Sequence, residues 1–322
     1  MLYLGPTVIA MKPLIVALCA VFAFSGLSAQ TSAWQPSPGH TQVPIWPGAV
    51  PDAQPVTGPE TSTMREKDHL VAGKPWTYVE RVLRPTMTVY SPRANNTGAA
   101  VVVFPGGGYS VLAIDLEGTE VCDWLTAKGI TCVLLKYRVP GNGLEPRSGP
   151  YPKSPMALED AQRTVGLVRF HAAEWHVDPR KIGVLGFSAG GHLVAAISAH
   201  FEHRLYPTVD AADKESCRPD FAVALYPGHL NIGSKTFELN PDVPVTRQTP
   251  PTFLLQAEND PVDSVNNSLV YYIALKNAGV PVEMHLYAEG KHAFGLRPTT
   301  FPITRWPDEV ETWLGTIGVI SK

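Results

Sequence analysis

A hexapeptide near the middle of the chain, Gly186-Phe187-Ser188-Ala189-Gly190-Gly191, limits the folds open to it more than any other stretch. The apolar run Ile182-Gly183-Val184-Leu185 precedes it, and His192-Leu193-Val194-Ala195-Ala196-Ile197 follows. The first reads as a buried strand and the second as a helix, so the serine occupies a very tight strand-to-helix turn. Side chains at Gly186 and Gly190 would collide with neighbouring backbone there, and glycine also tolerates the strained dihedrals of such a turn. The serine hydroxyl is thereby raised at the mouth of a sheet, beside the positive end of a helix.

A hydroxyl in this position becomes a nucleophile only if other groups take and orient its proton. Candidates for both tasks follow in the chain order Ser, acid, His. Residues 251–257 read as a strand that leads into Glu258-Asn259-Asp260-Pro261-Val262-Asp263. Val282–Tyr287 reads as another strand and leads into Glu289-Gly290-Lys291-His292. Both loops leave the carboxyl ends of strands, where open α/β sheets gather their chemistry. A histidine, with a pKa of about 6.5, accepts the serine proton and returns it to a leaving group. A carboxylate fixes the ring tautomer and stabilises the imidazolium that forms. We therefore assign Ser188 as nucleophile, His292 as base and Asp260 as the orienting acid. Asp263 is the second candidate for the acid, and Glu258 lies in the same loop. His192 follows Ser188 too closely, His171 and His176 belong to the preceding helix, and His285 lies within a strand.

Residues 99–104 form a continuous apolar run, which suits a strand covered on both faces. They lead into Pro105-Gly106-Gly107-Gly108-Tyr109, where consecutive glycines let backbone N–H groups converge on a small anion. Gly107, Gly108 and Ala189 are the expected oxyanion donors. Tyr109, Tyr151 and Tyr226 are the expected substrate contacts, although Tyr109 could equally pack beneath the glycine loop. Residues 78–82 and 86–90 alternate and read as two antiparallel edge strands. Beyond them strands and helices alternate, which implies a mostly parallel sheet with right-handed crossovers. Helices are expected over 117–128 and 157–175. Strands are expected over 131–137 and 221–226, and a final helix carries the apolar stripe Val310, Trp313, Leu314 and Ile317.

Four segments together resemble the secreted bacterial α/β-hydrolases of the acetylxylan and feruloyl esterase type. They are Phe104-Pro105-Gly106-Gly107-Gly108-Tyr109, Leu135-Lys136-Tyr137-Arg138-Val139-Pro140, Asp160-Ala161-Gln162-Arg163, and residues 182–192 around Ser188. The resemblance covers residues 75–320. It implies an α/β-hydrolase fold with helices on both faces of the sheet. It also implies hydrolysis of acyl esters, often acetyl or hydroxycinnamoyl groups on plant polysaccharide. Two departures stand out: Pro105 occupies a position that is histidine in hormone-sensitive-lipase-like esterases, and Asp263-Ser264 replaces the usual Val-Pro after the acid. The expected partner is a small-molecule or polysaccharide-borne ester. The loops 139–155, with Arg147 and Tyr151, and 228–250 should rim the site. Neither shows the amphipathic apolar face that a cover for aggregated lipid needs, which favours a water-soluble or carbohydrate-borne ester.

The chain has 322 residues and 44% hydrophobic content, enough for one full core. Its net charge of −3, with no basic stripe, gives no footprint for nucleic acid. Met11-Lys12-Pro13, the apolar residues 14–24 and the small residues Ser25 to Ala29 read as a signal peptide ending at 29, with Met11 the better start. That reading makes the protein secreted or periplasmic. The apolar run is too short for a stable membrane span. Residues 30–74 read as a proline-rich arm without regular structure, either packed on the domain, with Trp34 and Trp46 as anchors, or serving as a tether, and residues 75–322 as the catalytic domain. Cys122 and Cys132 fall on a helix and the next strand and are expected as buried apolar residues rather than a bridge. With no Cys-x-x-Cys or His-Glu-x-x-His, neither a metal nor a cofactor is expected.

Overall fold

Apolar runs of five or six residues, too short to make stable helices, form the centre of the molecule as a sheet. The computed structural model describes Met1 and residues 33–53, 58–139, 154–233 and 237–321. The signal-peptide region and Tyr151 therefore lie outside the described residues. Eight strands build the main sheet. They are β1 (Gln42–Pro44), β4 (Thr86–Tyr90), β5 (Ala100–Phe104), β7 (Thr131–Lys136), β8 (Ile182–Phe187), β9 (Phe221–Leu225), β10 (Thr252–Ala257) and β11 (Val282–Tyr287). A second sheet contains β2 (Thr61–Arg65), β3 (Trp76–Glu80) and β6 (Val111–Leu112) in the order β2-β3-β6.

The main sheet runs β1-β4-β7-β5-β8-β9-β10-β11. β7, β5, β8, β9, β10 and β11 are mutually parallel, and β4 and β1 close one edge antiparallel. Every residue of β5, β7, β8, β9 and β10 is buried, as a sheet covered on both faces requires. The covering helices are α1 (Glu120–Ala127), α2 (Pro155–Phe170), α3 (Ala189–Ala199), α4 (Asn266–Ala278) and α5 (Trp306–Thr316). The crossover from β5 through α1 to β7 runs one way along the sheet, and that from β7 through α2 to β8 runs back. With right-handed crossovers these two helices lie on opposite faces. The reversal makes a switch point between β5 and β8, the place where open α/β sheets leave a crevice at the strands' carboxyl ends. The glycine-rich loop after β5 and Ser188 after β8 both open into it.

Two sequence expectations change here. Residues 78–82 and 86–90 do not pair with each other: β3 joins the small sheet, while β4 lies between β1 and β7. Cys122 on α1 and Cys132 on β7 are joined as a disulfide, with Cα atoms 5.1 Å apart. A tight return through Lys128 and Gly129 folds the helix back against the strand that follows it, which brings the two thiols together. Cys217 is a buried free cysteine.

The proline-rich arm is part of the domain and contains regular structure, because Gln42–Pro44 pairs with β4. Trp46 anchors it as expected. Its indole Nε1 donates to Asp160 Oδ1 (2.9 Å) on α2, and its ring packs edge-on against Tyr206. Asp160 also receives the backbone N–H of Arg138 (2.9 Å) and the Arg138 guanidinium, which reaches Glu159 Oε2 (2.7 Å) as well. All three charged side chains are at most 3% exposed. Removing one partner of such a group leaves an uncompensated buried charge. Arg138→Met is therefore expected to lower stability by about 3–5 kcal/mol. The check is the urea midpoint at unchanged slope; a shift worth less than about 1 kcal/mol would show that the network does not hold the arm and α2 together.

Candidate active site

Ser188 sits where β8 ends and α3 begins, with φ 52° and ψ −118°. This region is costly for a side-chain-bearing residue and persists only when its surroundings enforce it. The surroundings here are tight. A Cβ on Gly190 would stand 2.0 Å from the carbonyl oxygen of Phe104, and one on Gly186 would stand 2.2 Å from that of Gly190. Ser188 N–H donates to Leu225 O (3.0 Å), and Ser188 O accepts from His192 N–H (2.9 Å). The elbow is thus pinned between β5, β9 and the first turn of α3.

His292 Nε2 lies 2.9 Å from Ser188 Oγ, and His292 Nδ1 lies 2.7 Å from Asp260 Oδ2. The three residues singled out in the sequence therefore meet in one hydrogen-bonded chain. The Asp260 side chain is fully shielded, and its Oδ1 accepts the backbone N–H groups of Val262 (2.8 Å) and Asp263 (3.0 Å). The two loops are also tied to each other. Asn259 Oδ1 accepts from Gly290 N–H (3.0 Å) and Lys291 N–H (2.9 Å), just ahead of the histidine. Burial pulls the His292 pKa down, but the hydrogen bond that its Nδ1–H donates to Asp260 and the charges of Asp260, Asp263 and Glu117 outweigh it. The net shift is upward from the ordinary value.

Asp263 does not hold Nδ1, the place of the orienting acid, yet it does not stand apart. Its Oδ2 is 3.3 Å from Ser188 Oγ and 3.7 Å from His292 Nε2. Glu258 is exposed, with its backbone N–H bonded to Tyr287 O (2.7 Å).

The glycine loop turns back on itself: Gly107 O accepts from Val111 N–H (3.1 Å), and Gly106 O accepts from Ala113 N–H (3.0 Å). Among the described residues the backbone N–H groups of Gly107, Gly108 and Ala189 have no acceptor. These are the three donors expected from the sequence, and a developing oxyanion beside Ser188 can use them.

The tyrosines require correction. Tyr226 is fully buried and is not a substrate contact. Its ring packs against His292 with centroids 4.9 Å apart, and its hydroxyl donates to Glu117 Oε1 (2.8 Å). Tyr109 takes the second of its two expected positions. It is 3% exposed, with its hydroxyl bonded to His192 Nδ1 and its ring near Tyr137 and His229. Burial, with the neighbouring His229 and His200, pushes the His192 pKa well down, so this imidazole stays neutral. Sequence reasoning missed Glu117. It is 2% exposed on a π-helical turn, Asp115–Thr119, and its Oε2 accepts Gly106 N–H (2.8 Å). Burial raises its pKa against the opposing hydrogen bond of Tyr226, the charge of His292 and the Gly106 N–H. One carboxyl group thus braces both the glycine loop and the tyrosine beneath His292. The only sequence hint was an acidic residue beside the apolar stretch after the glycines.

Among the described residues no cluster of His, Cys, Asp and Glu could hold a metal ion, and no helix is long and apolar enough to cross a membrane.

Comparison with known proteins gives two family matches: BD-FAE over residues 87–227, and the prolyl oligopeptidase family over residues 158–315. An acetylxylan esterase of Xylanibacter ruminicola is 31% identical over 215 residues, and an endo-1,4-beta-xylanase B of Butyrivibrio fibrisolvens is 28% identical over 234 residues. The matches take in 63% and 67% of this chain but only 42% and 36% of those proteins, so the chain spans less than half the length of either. The crystal structure of an acetyl ester-xyloside bifunctional hydrolase from Caldicellulosiruptor lactoaceticus superposes with a TM-score of 0.67 at 30% identity. The alignment covers 87% of this chain and 97% of that one.

Proposed function

Because the chain belongs to the α/β-hydrolases of the acetylxylan and feruloyl esterase type, we propose that it is an exported serine esterase. Its proposed substrates are acetyl or feruloyl esters, above all acetyl esters carried on a plant polysaccharide such as xylan. The observation that carries this reading is the single imidazole within hydrogen-bond reach of both Ser188 Oγ (2.9 Å) and Asp260 Oδ2 (2.7 Å). As Ser188 Oγ bonds to the ester carbon, its proton passes to His292 Nε2 and the carbonyl electrons move to oxygen. The amides of Gly107, Gly108 and Ala189 receive that oxyanion. Collapse breaks the carbon–oxygen bond to the alcohol, which leaves with the proton from His292. Water repeats the sequence on the acyl-enzyme, releasing the carboxylic acid and restoring Ser188. Asp260 keeps the imidazole proton on Nδ1 throughout, so that Nε2 faces the serine as an acceptor.

The acetylxylan esterase and acetyl ester-xyloside hydrolase among its relatives support the carbohydrate side of the reading. The leader-like residues 11–29 support action outside the cytoplasm. The prolyl oligopeptidase match supports a peptidase as the rival, since residues 158–315 hold Ser188, Asp260 and His292. The test is purified protein assayed side by side on acetylated xylan, tributyrin, methyl ferulate and a prolyl peptide anilide. Acetate release from xylan should be the fastest. Equal rates on the three esters would remove the carbohydrate claim, and dominant anilide cleavage would replace the esterase by a peptidase.

A further inference from the structure

Asp263 is a second carboxylate at the nucleophile, and nothing in the esterase chemistry above needs it. Its position is built. Its backbone N–H donates to Asp260 Oδ1 (3.0 Å), and its carbonyl accepts from Gln256 Nε2 (2.9 Å). Gln256 is fully buried and held in turn by Ser268 Oγ (2.8 Å). Across the site the chain leaves space for the carboxylate: a Cβ on Gly228 would lie 2.5 Å from Asp263 Oδ1. Gly228 N–H itself donates to Ser188 O (3.3 Å), so both sides of this gap are fixed to the elbow. The side chain is 14% exposed.

Asp263 lies beside the imidazole nitrogen that must protonate a departing alcohol. His292 Nε2 must reach the leaving oxygen to protonate it, and Asp263 Oδ2 is 3.7 Å from that nitrogen. An ionised carboxylate only accepts hydrogen bonds. It therefore favours an alcohol part that offers an O–H close to the ester oxygen and disfavours one carrying a negative charge. An acetyl group has no donor to offer, so the discrimination falls on the alcohol. Resting on the esterase reading, we propose that Asp263 is a specificity-determining residue that selects esters with a free hydroxyl on the carbon next to the ester-bearing carbon, as in a partly acylated sugar. The same contact acts on the nucleophile. Among the described residues Ser188 Oγ–H has two acceptors in reach, Nε2 at 2.9 Å and Asp263 Oδ2 at 3.3 Å. A substrate hydroxyl that occupies Asp263 turns the serine proton to the histidine, and an ester without one leaves the two acceptors in competition.

The experiment uses three acetate esters that differ beside the ester oxygen: 2-hydroxyethyl, 2-methoxyethyl and ethyl acetate. For the wild-type protein kcat/KM on the hydroxyethyl ester should exceed that on the methoxyethyl ester by about 10- to 100-fold, the range of one hydrogen bond to a charged group. Asp263→Ala should bring that ratio close to unity, and Asp263→Asn should give an intermediate ratio. A wild-type ratio near unity overturns the proposal without any variant. So does a high ratio that survives in both variants, because another group then reads the hydroxyl. If no ester is turned over, the esterase reading falls and this inference with it. An Asp263-dependent ratio in a protein inactive on acetylated xylan would keep the inference and remove the polysaccharide. A second readout separates the role of the charge from a packing defect. Of the groups facing His292 among the described residues, which are Asp260, Asp263, Glu117 and the Tyr226 ring, Asp263→Asn removes one negative charge. The acid limb of kcat/KM should therefore move to lower pH.

Discussion

Ser188→Ala is expected to lower kcat on p-nitrophenyl acetate by about a millionfold, the loss seen when a triad nucleophile is removed from a serine hydrolase. The substitution removes one oxygen and with it the hydrogen bonds to His292 and Asp263. The backbone bonds that pin the elbow, Ser188 N–H to Leu225 O and His192 N–H to Ser188 O, remain. The φ of 52° at this position is no easier for alanine than for serine, so the elbow keeps its strain and the fold should keep its melting temperature to within a few degrees. The residual rate should be that of donors acting on an ester with bulk water as the attacking group. Turnover within tenfold of wild type by protein of unchanged melting temperature would mean that another group attacks, and the reading built on Ser188 would fail.

The second large effect is at the acid. Asp260→Asn is expected to cost about 10⁴-fold in kcat, because an amide in that place favours the wrong histidine tautomer. The geometry says which way the amide turns. Asp260 Oδ1 accepts two backbone N–H groups, from Val262 and Asp263, so the amide oxygen stays there. The amide NH₂ then faces His292 Nδ1, which must give up its proton to accept. Nε2 becomes the protonated nitrogen and no longer takes the proton of Ser188. Gln256 Nε2, 3.2 Å from Oδ2, would meet a second donor. Asp263→Asn leaves the Asp260 contact to Nδ1 in place, so on ethyl acetate it should act far more weakly. Parallel kinetics of the two variants decide the matter: collapse in Asp263→Asn with Asp260→Asn spared would exchange the two roles.

The elbow, the buried strands and the order Ser188, Asp260, His292 were legible because each rests on a local pattern. Four to six apolar residues, a glycine-flanked serine, and a polar loop just past a strand are signals carried within one segment. What stayed hidden depends on partners distant in the chain. Glu117 acts through Gly106 and Tyr226, the latter more than a hundred residues away, and nothing near it says that it is buried. Tyr226 was read as a substrate contact because it ends a strand at the site. The 4.9 Å approach of its ring to His292 shows it underneath instead. Alternation at 78–82 and 86–90 marked two strands correctly, but pairing is a tertiary choice and the two went to different sheets. The bridge between Cys122 and Cys132 was missed for a similar reason: a helix and a strand in sequence say nothing about the return that sets them side by side. Asp263 was legible as a candidate and not as a neighbour of the nucleophile, since three residues of loop can point a carboxylate anywhere.

The short strand at Gln42–Pro44 has a consequence for the molecule among its own copies. An open sheet border is a template onto which another polypeptide can zip, and the longer it is the better it templates. On this side the border offers three residues, the last a proline with no amide hydrogen to give, and then the chain turns inward at Trp46. The proline-rich arm thus blunts one flank of the main sheet against pairing with a second copy.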